Sequence, residues 1–295
     1  MIRMRSAVWM LALIVVGVPL FVSCVIVRSS EPGRENVLRM PLSSLEVSGV
    51  FDVEIREGNS NVVTIDCPDE LLKKVIYEQE GSGLKLSSRR DRRFGRVDVL
   101  DRSKDRRRSV IKVVVTTTRV NNLKEIDMDR ASNLTFKTNQ PLDELDIELS
   151  GASDAELALK ARKLDLDISQ ASELNFKGGA DEMEVDLSGS SDMNIDATVG
   201  KMKGDLSGSS SIQLRGQAES MSMDLSGSSD IEGHAMRVTV ASIELSGSSD
   251  ATVYVVDALS VQASGNSSLR YKGNPRLDVS SSGGSTIKPL DPFDE

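Results

Sequence analysis

A six-residue block, Leu-Ser-Gly-Ser-Ser-Asp, returns along the second half of this chain at an almost fixed interval, and few folds accommodate that. Its copies begin at Leu149, Ile168, Leu187, Leu206, Leu225, Leu245 and Ala263, with a weaker one at Ser281. The central positions are Gly151, Gln170, Gly189, Gly208, Gly227, Gly247, Gly265 and Gly283, so the steps are 19, 19, 19, 19, 20, 18 and 18 residues. A period that short, held through eight copies, marks stacked supersecondary units in which each copy touches only its neighbours.

Apolar residues alternate with polar ones on both sides of the Ser-Gly block. Leu164, Leu166 and Ile168 precede one copy, and Leu174 and Phe176 follow it; Met183, Val185 and Leu187 precede the next, and Met193, Ile195 and Ala197 follow. Period-two alternation is the strand signal. Each unit is therefore a strand, a tight corner and a second strand, with a shorter connection to the next copy. Nineteen residues at about 3.3 Å each give a contour of about 60 Å, enough for one small closed coil. The expected fold is all-β: a parallel β-helix, or β-solenoid, of about eight rungs with a period of about 19 residues and an irregular, strand-rich N-terminal cap. An antiparallel sandwich is the weaker reading, since it does not demand one period. At the corners glycine supplies positive φ and serine bonds the local backbone. Stacking would put those serines in ladders along one edge, with Gly151, Gly189, Gly208, Gly227, Gly247 and Gly265 as structural turns. Gln170 interrupts the glycines, so its corner is expected to be the most strained or differently shaped.

The front of the chain reads as an export signal over residues 1–24. Arg3 and Arg5 precede an apolar run from Ala7 to Val22, and Phe21-Val22-Ser23-Cys24 resembles a lipobox in which Cys24 would carry lipid. The apolar run continues to Val27, long enough to span a bilayer, so an uncleaved membrane anchor and ordinary secretion stay open. All three export the rest. Residues 25–41 form a tether, 42–125 a β cap, 126–290 the repeats and 291–295 a tail. With Cys24 lipidated, Cys67 has no intramolecular disulfide partner, and after strand-like Val62–Ile65 it reads as a structural thiol.

With these pieces assembled, the chain resembles the head GIN domain family of auto-transporter-type adhesins. Ser48-Gly49-Val50-Phe51-Asp52-Val53, Leu71-Leu72, Gly83-Leu84-Lys85-Leu86 and the repeated blocks carry the resemblance, which covers about residues 42–290. It implies an envelope-associated β-helical protein, often a lipoprotein, here expected on the outer membrane with its side of that membrane left open. It transfers no catalytic residue. Residues 291–295 hold no barrel-forming segment, so self-translocation is not expected.

One stretch stands apart in composition. Residues 89–108 contain ten Lys or Arg and four Asp, a charge of +6 in a chain whose total is −9, which leaves −15 elsewhere. Arg89, Arg90, Arg92, Arg93, Arg96, Arg106, Arg107 and Arg108 could grip an anionic envelope polymer, a phosphorylated glycan, lipid head groups or a protein partner; the plainer reading is a solvated hairpin loop containing a short strand at Val97–Leu100. Nucleic acid is not expected, because aromatic stacking residues are scarce and the chain is exported. Asp154, Asp192, Asp230 and Asp250 recur at one rung position, yet Glu173, Ser211 and Ser268 interrupt them, and turn capping accounts for them better than Ca²⁺. His234, the single histidine, has no evident partner, and no carboxylate pair is singular on so repetitive a surface. No enzyme, metal or cofactor is expected, and a polysaccharide-active enzyme is a distant third reading. Tyr77, Tyr254 and Tyr271 read as packing residues. Pro289 and Pro292 look suited to blocking the C-terminal edge, so a monomer is expected. Two functions remain: an adhesin or matrix-binding protein presenting a polar face, and a periplasm-facing module that binds a partner through residues 89–108.

Overall fold

The structure, a computed structural model, describes residues 35–38, 40–88 and 110–290. Cys24, the basic stretch 89–108 and the tail 291–295 lie outside the described residues. The strands are β1 (Glu35–Val37), β2 (Ser44–Gly49), β3 (Phe51–Glu57), β4 (Val62–Asp66), β5 (Val75–Glu80), β6 (Gly83–Ser88), β7 (Ile111–Thr117), β8 (Glu125–Arg130), β9 (Asn133–Lys137) and β10 (Leu142–Leu149). They continue as β11 (Asp154–Ile168), β12 (Glu173–Leu187), β13 (Asp192–Leu206), β14 (Ser211–Leu225), β15 (Asp230–Leu245), β16 (Asp250–Ala263), β17 (Ser268–Lys272), β18 (Arg276–Ser281) and β19 (Thr286–Pro289). A single helical turn, α1 (Asp69–Leu72), follows β4. From β10 onward each strand pairs in parallel with its counterpart one repeat later. The ladders from β10 to β14 keep one register apart from the skipped bend residue, and those of β15 with β14 and β16 shift at Gln213/Arg215, Gly233/Arg237 and Val238/Val240. The fold is a β-solenoid.

The shorter connection within each unit is not a separate turn. β12 runs unbroken for 15 residues; its buried side chains are Leu174, Phe176 and Ala180, then Met183, Val185 and Leu187. The inward phase slips by one residue between Ala180 and Met183. The ladder to β13 skips the same place, passing from Ala180↔Val199 to Glu182↔Lys201. One unpaired residue per rung bends the strand and re-aims its apolar side at the same core, as a bulge does.

The other edge is the Ser-Gly corner, and its chemistry explains the motif. The residue after each corner glycine donates its N–H to the corner carbonyl one rung below: Ser209 to Gly189 at 2.7 Å, Ser228 to Gly208 at 2.8 Å, Asn266 to Gly247 at 2.8 Å. The fifth residue of each of the first seven blocks, a serine every time, is buried. Its hydroxyl donates to the carbonyl three residues earlier, as Ser229 does to Ser226 and Ser249 to Ser246, both at 2.8 Å. A hydroxyl in that position needs an internal acceptor, and the turn supplies one.

At Gln170 the expected strain is present, as a side chain held at positive φ, and a different shape is not. Its φ of 67° sits beside the 71–82° of the corner glycines in the repeats, so its corner keeps the common shape. The spacing around it is uneven: Ala171 N lies 3.1 Å from Gly151 O in the rung below and Ser190 N 2.6 Å from Gln170 O in the rung above, against 2.7–2.8 Å where glycine stacks on glycine. Arg130 behaves alike, with φ 78° and an Ala131 N–H to Gly49 O distance of 3.1 Å. The corner column thus continues below the recognisable repeats, through Arg130 to Gly49, because β2 and β3 stack on β8 and β9. The solenoid has about nine turns, against about eight from the motif.

Beneath the first rung, β6 and β7 pair in parallel with β2 and β3. Antiparallel pairings then take over: β5 on β6, β4 on β7 and β1 on β4. This change of direction ends the parallel stack. Leu72 of α1, Tyr77 and Cys67 pack into the cap core. Burial, then the carboxylates of Asp66 and Asp69, push the Cys67 thiol pKa up, which suits a structural and unreactive thiol. At the opposite end β18 lies on β16 and β19 on β17, and no described strand covers them.

Candidate functional site

The position just before the leucine of each block points outward and stacks. Asp127, Glu148, Asp167, Asp186, Asp205, Asp224 and Glu244 succeed one another in paired register, one per rung. Glu46 extends the column into the cap, since it pairs with Asp127. The strand alternation puts the first serine of each corner two residues further on, along the neighbouring column. Between the two columns runs a trough. One cavity of about 490 Å³ extends from Glu148 to Ser207 and another of about 450 Å³ from Asp205 to Ser282; they share Asp205 and Ser207 and so run into one another. A hollow of about 640 Å³ at the opposite edge is lined by the bend, from Lys160 through Gly178, Gly179 and Thr198 to Thr239, with no such ladder.

Stacking carboxylates at the rung spacing of about 4.8 Å has an electrostatic consequence. Partial burial, then the charges of Asp167 and Asp205 below and above, push Asp186 up to about 6. Asp127, Glu148 and Asp224 are raised by the same two causes in the same order. Polar partners quench the ends of the column. Lys85 forms an ion pair with Glu46 at the cap end, and Gln262 Nε2 donates to Glu244 Oε1 at 3.0 Å at the other.

The residues singled out in the sequence distribute differently. The corner glycines Gly151, Gly189, Gly208, Gly227, Gly247 and Gly265 all have positive φ and stack in one column. Asp154, Asp192, Asp230 and Asp250 do share one column, with Glu173 and Ser211 between them. Burial, then neighbouring carboxylates, raise Asp154 and Asp230. Among the described residues no group of three or more His, Cys, Asp or Glu side chains is placed to hold a metal ion. His234 is exposed on β15. The arginines 89–108 are outside the described residues, but the segment that carries them joins the end of β6 to the start of β7. Those strands pair with β2 and β3.

The trough itself was missed, although a signal existed. In Asp186-Leu187-Ser188-Gly189, Asp205-Leu206-Ser207-Gly208 and Asp224-Leu225-Ser226-Gly227 the repeat is one residue longer than its six-residue core, and the added residue is acidic.

A capped solenoid with a polar axial trough is an architecture built by repetition. The chain belongs to the family described as putative auto-transporter adhesin, head GIN domain, whose model matches residues 41–198 and 182–275. That family is one of adhesin-like proteins of exported or envelope type, and its description names no enzyme. The fold is shared with a putative adhesin from Parabacteroides distasonis (18% identity, TM-score 0.60, covering 88% of this chain and 96% of that one). A putative adhesin from Parabacteroides merdae matches at 17% identity and TM-score 0.59, covering 88% and 95%. A putative lipid binding protein from Parabacteroides distasonis matches at 15% and 0.56, covering 88% and 97%. No curated protein matches the chain.

Proposed function

We propose that this protein is a non-enzymatic, envelope-anchored adhesin whose trough holds an extended, repeating polar polymer such as a surface or matrix glycan. The trough carries this reading: its carboxylates and serine hydroxyls recur at each rung, so a polymer of similar repeat meets the same weak contacts many times. Contacts that are individually weak gain strength through multivalency. Cys24 is assigned as the lipidated residue holding the solenoid at the outer membrane. The test has two arms. Protease treatment of intact cells should remove an epitope at the solenoid end, and glycan binding by the exported protein should fall when Asp186, Asp205 and Asp224 are changed together to alanine. Protection of the epitope until permeabilisation, with unchanged glycan binding, would overturn the reading.

A second reading is a periplasm-facing module that binds an anionic envelope polymer, lipid or protein through residues 89–108. The composition of that segment favours it, a charge of +6 in a chain whose total is −9. The lipid-binding description of one structural relative points the same way.

A further inference from the structure

Among the described residues nothing covers the C-terminal end of the solenoid, and that end is built to match itself. Leu277 and Val279 of β18 lie on the core columns above Leu259 and Val261, yet they are 47% and 43% exposed. Ile287 and Pro289 of β19 lie above Leu269 and Tyr271 in the same way. The backbone is open as well. Ser282 and Thr286 donate their N–H groups to Ala263 and Ser267 in the rung below, and Leu290 donates to Tyr271. Successive peptide groups along a strand point to opposite neighbours. The groups of Leu277, Val279, Ile287 and Pro289 therefore point away from the stack, on the residues whose side chains are the exposed core. An occupant must supply two strands and an apolar interior together. The end of another solenoid has that cross-section; the cap end, closed by antiparallel strands, does not.

The sequence around the last corner fixes a register. β18 enters the corner at Gly283 and β19 leaves it, so a two-fold axis lying across the end face, along the strands, brings together residues equally far from Gly283. Antiparallel pairing of β18 with β19 of a second copy then sets Leu277 opposite Pro289 and Val279 opposite Ile287 on the core side. On the outer side Asp278 faces Lys288, and Ser280 faces Thr286. Sliding by two residues instead sets Arg276 against Lys288, a like-charge contact. The apolar match, the charge match, the outward backbone groups and the symmetry of the corner all select one register. Pro289 withholds one donor from each ladder but keeps its carbonyl. We propose that this end is a homodimerisation surface, joining two copies tail to tail through β18–β19 pairs. This interface is isologous and closed, so it stops at two.

The full chain, purified from membranes in density-matched detergent, should sediment as a concentration-dependent dimer. Asp278→Lys should raise the dissociation constant about tenfold or more, and Asp278→Lys with Lys288→Asp should return it to within about threefold of the parent. Both side chains lie on the outer surface, and circular dichroism of each variant should match that of the parent. A chain monomeric up to about 100 μM overturns the proposal, whether the end is then covered by residues 291–295 or left bare. A dimer indifferent to Asp278→Lys, or not restored by the double change, overturns it too, because association would then use another surface.

Discussion

Gly208→Val tests the corner directly. Gly208 has φ +79°, and a Cβ there would stand 2.5 Å from the carbonyl oxygen of Gly189 in the rung below. Positive φ costs a residue with a Cβ about 1–2 kcal/mol, and branching at Cβ adds to that. The stack must also shift, as it does at Gln170 and Arg130, where the following residues Ala171 and Ala131 donate to the rung below over 3.1 Å, against 2.7–2.8 Å in the glycine stack. We expect Gly208→Val to lose about 2–3 kcal/mol, measured by urea unfolding of the exported portion with the slope checked for two-state behaviour. The opposite change separates this cause from general damage. Gln170→Gly relieves the same strain and should gain about 1 kcal/mol, since its gain exceeds the entropy glycine adds to the unfolded chain. A loss below about 0.5 kcal/mol for Gly208→Val, or a loss of stability for Gln170→Gly, would refute the reasoning.

The acidic ladder sets a pH dependence. The folded-state pKa of Asp186 is raised to about 6 from its ordinary 3.8, so the folded state binds its proton more tightly. The resulting stabilisation is complete below the unfolded value and is lost as pH rises through about 6. Discounted for solvent exposure it amounts to about 1 kcal/mol; thermal melts from pH 4 to 8 should show the fall, and Asp186→Asn should flatten it. Ser229→Ala removes the buried hydroxyl that closes its corner and should cost about 1–2 kcal/mol in the same unfolding assay, with Ser228→Ala, its exposed neighbour, within about 0.5. Neutralising Arg89, Arg90, Arg92, Arg93, Arg106, Arg107 and Arg108 together should abolish co-sedimentation with anionic vesicles while leaving the melting temperature unchanged; binding that survives would remove the second functional reading.

The repeats were legible because one physical demand, a positive φ with a satisfied buried serine, recurs at each corner and leaves few residue choices. The rungs at Gly49 and Arg130 were hidden for the converse reason: the cap's own strands hold them in place, so Arg130 can occupy a glycine conformation without the motif around it. The bend opposite the corners left no signal, since a single slipped residue such as Asp181 or Gly200 needs no special chemistry. The trough was half legible. Alternation showed that Asp186 and its equivalents point outward, but their adjacency across rungs depends on exact register, which only the stack supplies.

Because every rung from β10 onward pairs with the one just completed, the order in which the chain is synthesised is also the order in which it can be assembled. β1 to β9 close the cap within the first half of the sequence and offer β8 and β9 as a template. Each further stretch of about 19 residues then finds its partner strand already waiting, with a loop no longer than one rung to close. Such a chain never has to search its whole length for a contact. Lengthening or shortening it by a repeat changes its reach without posing a new folding problem.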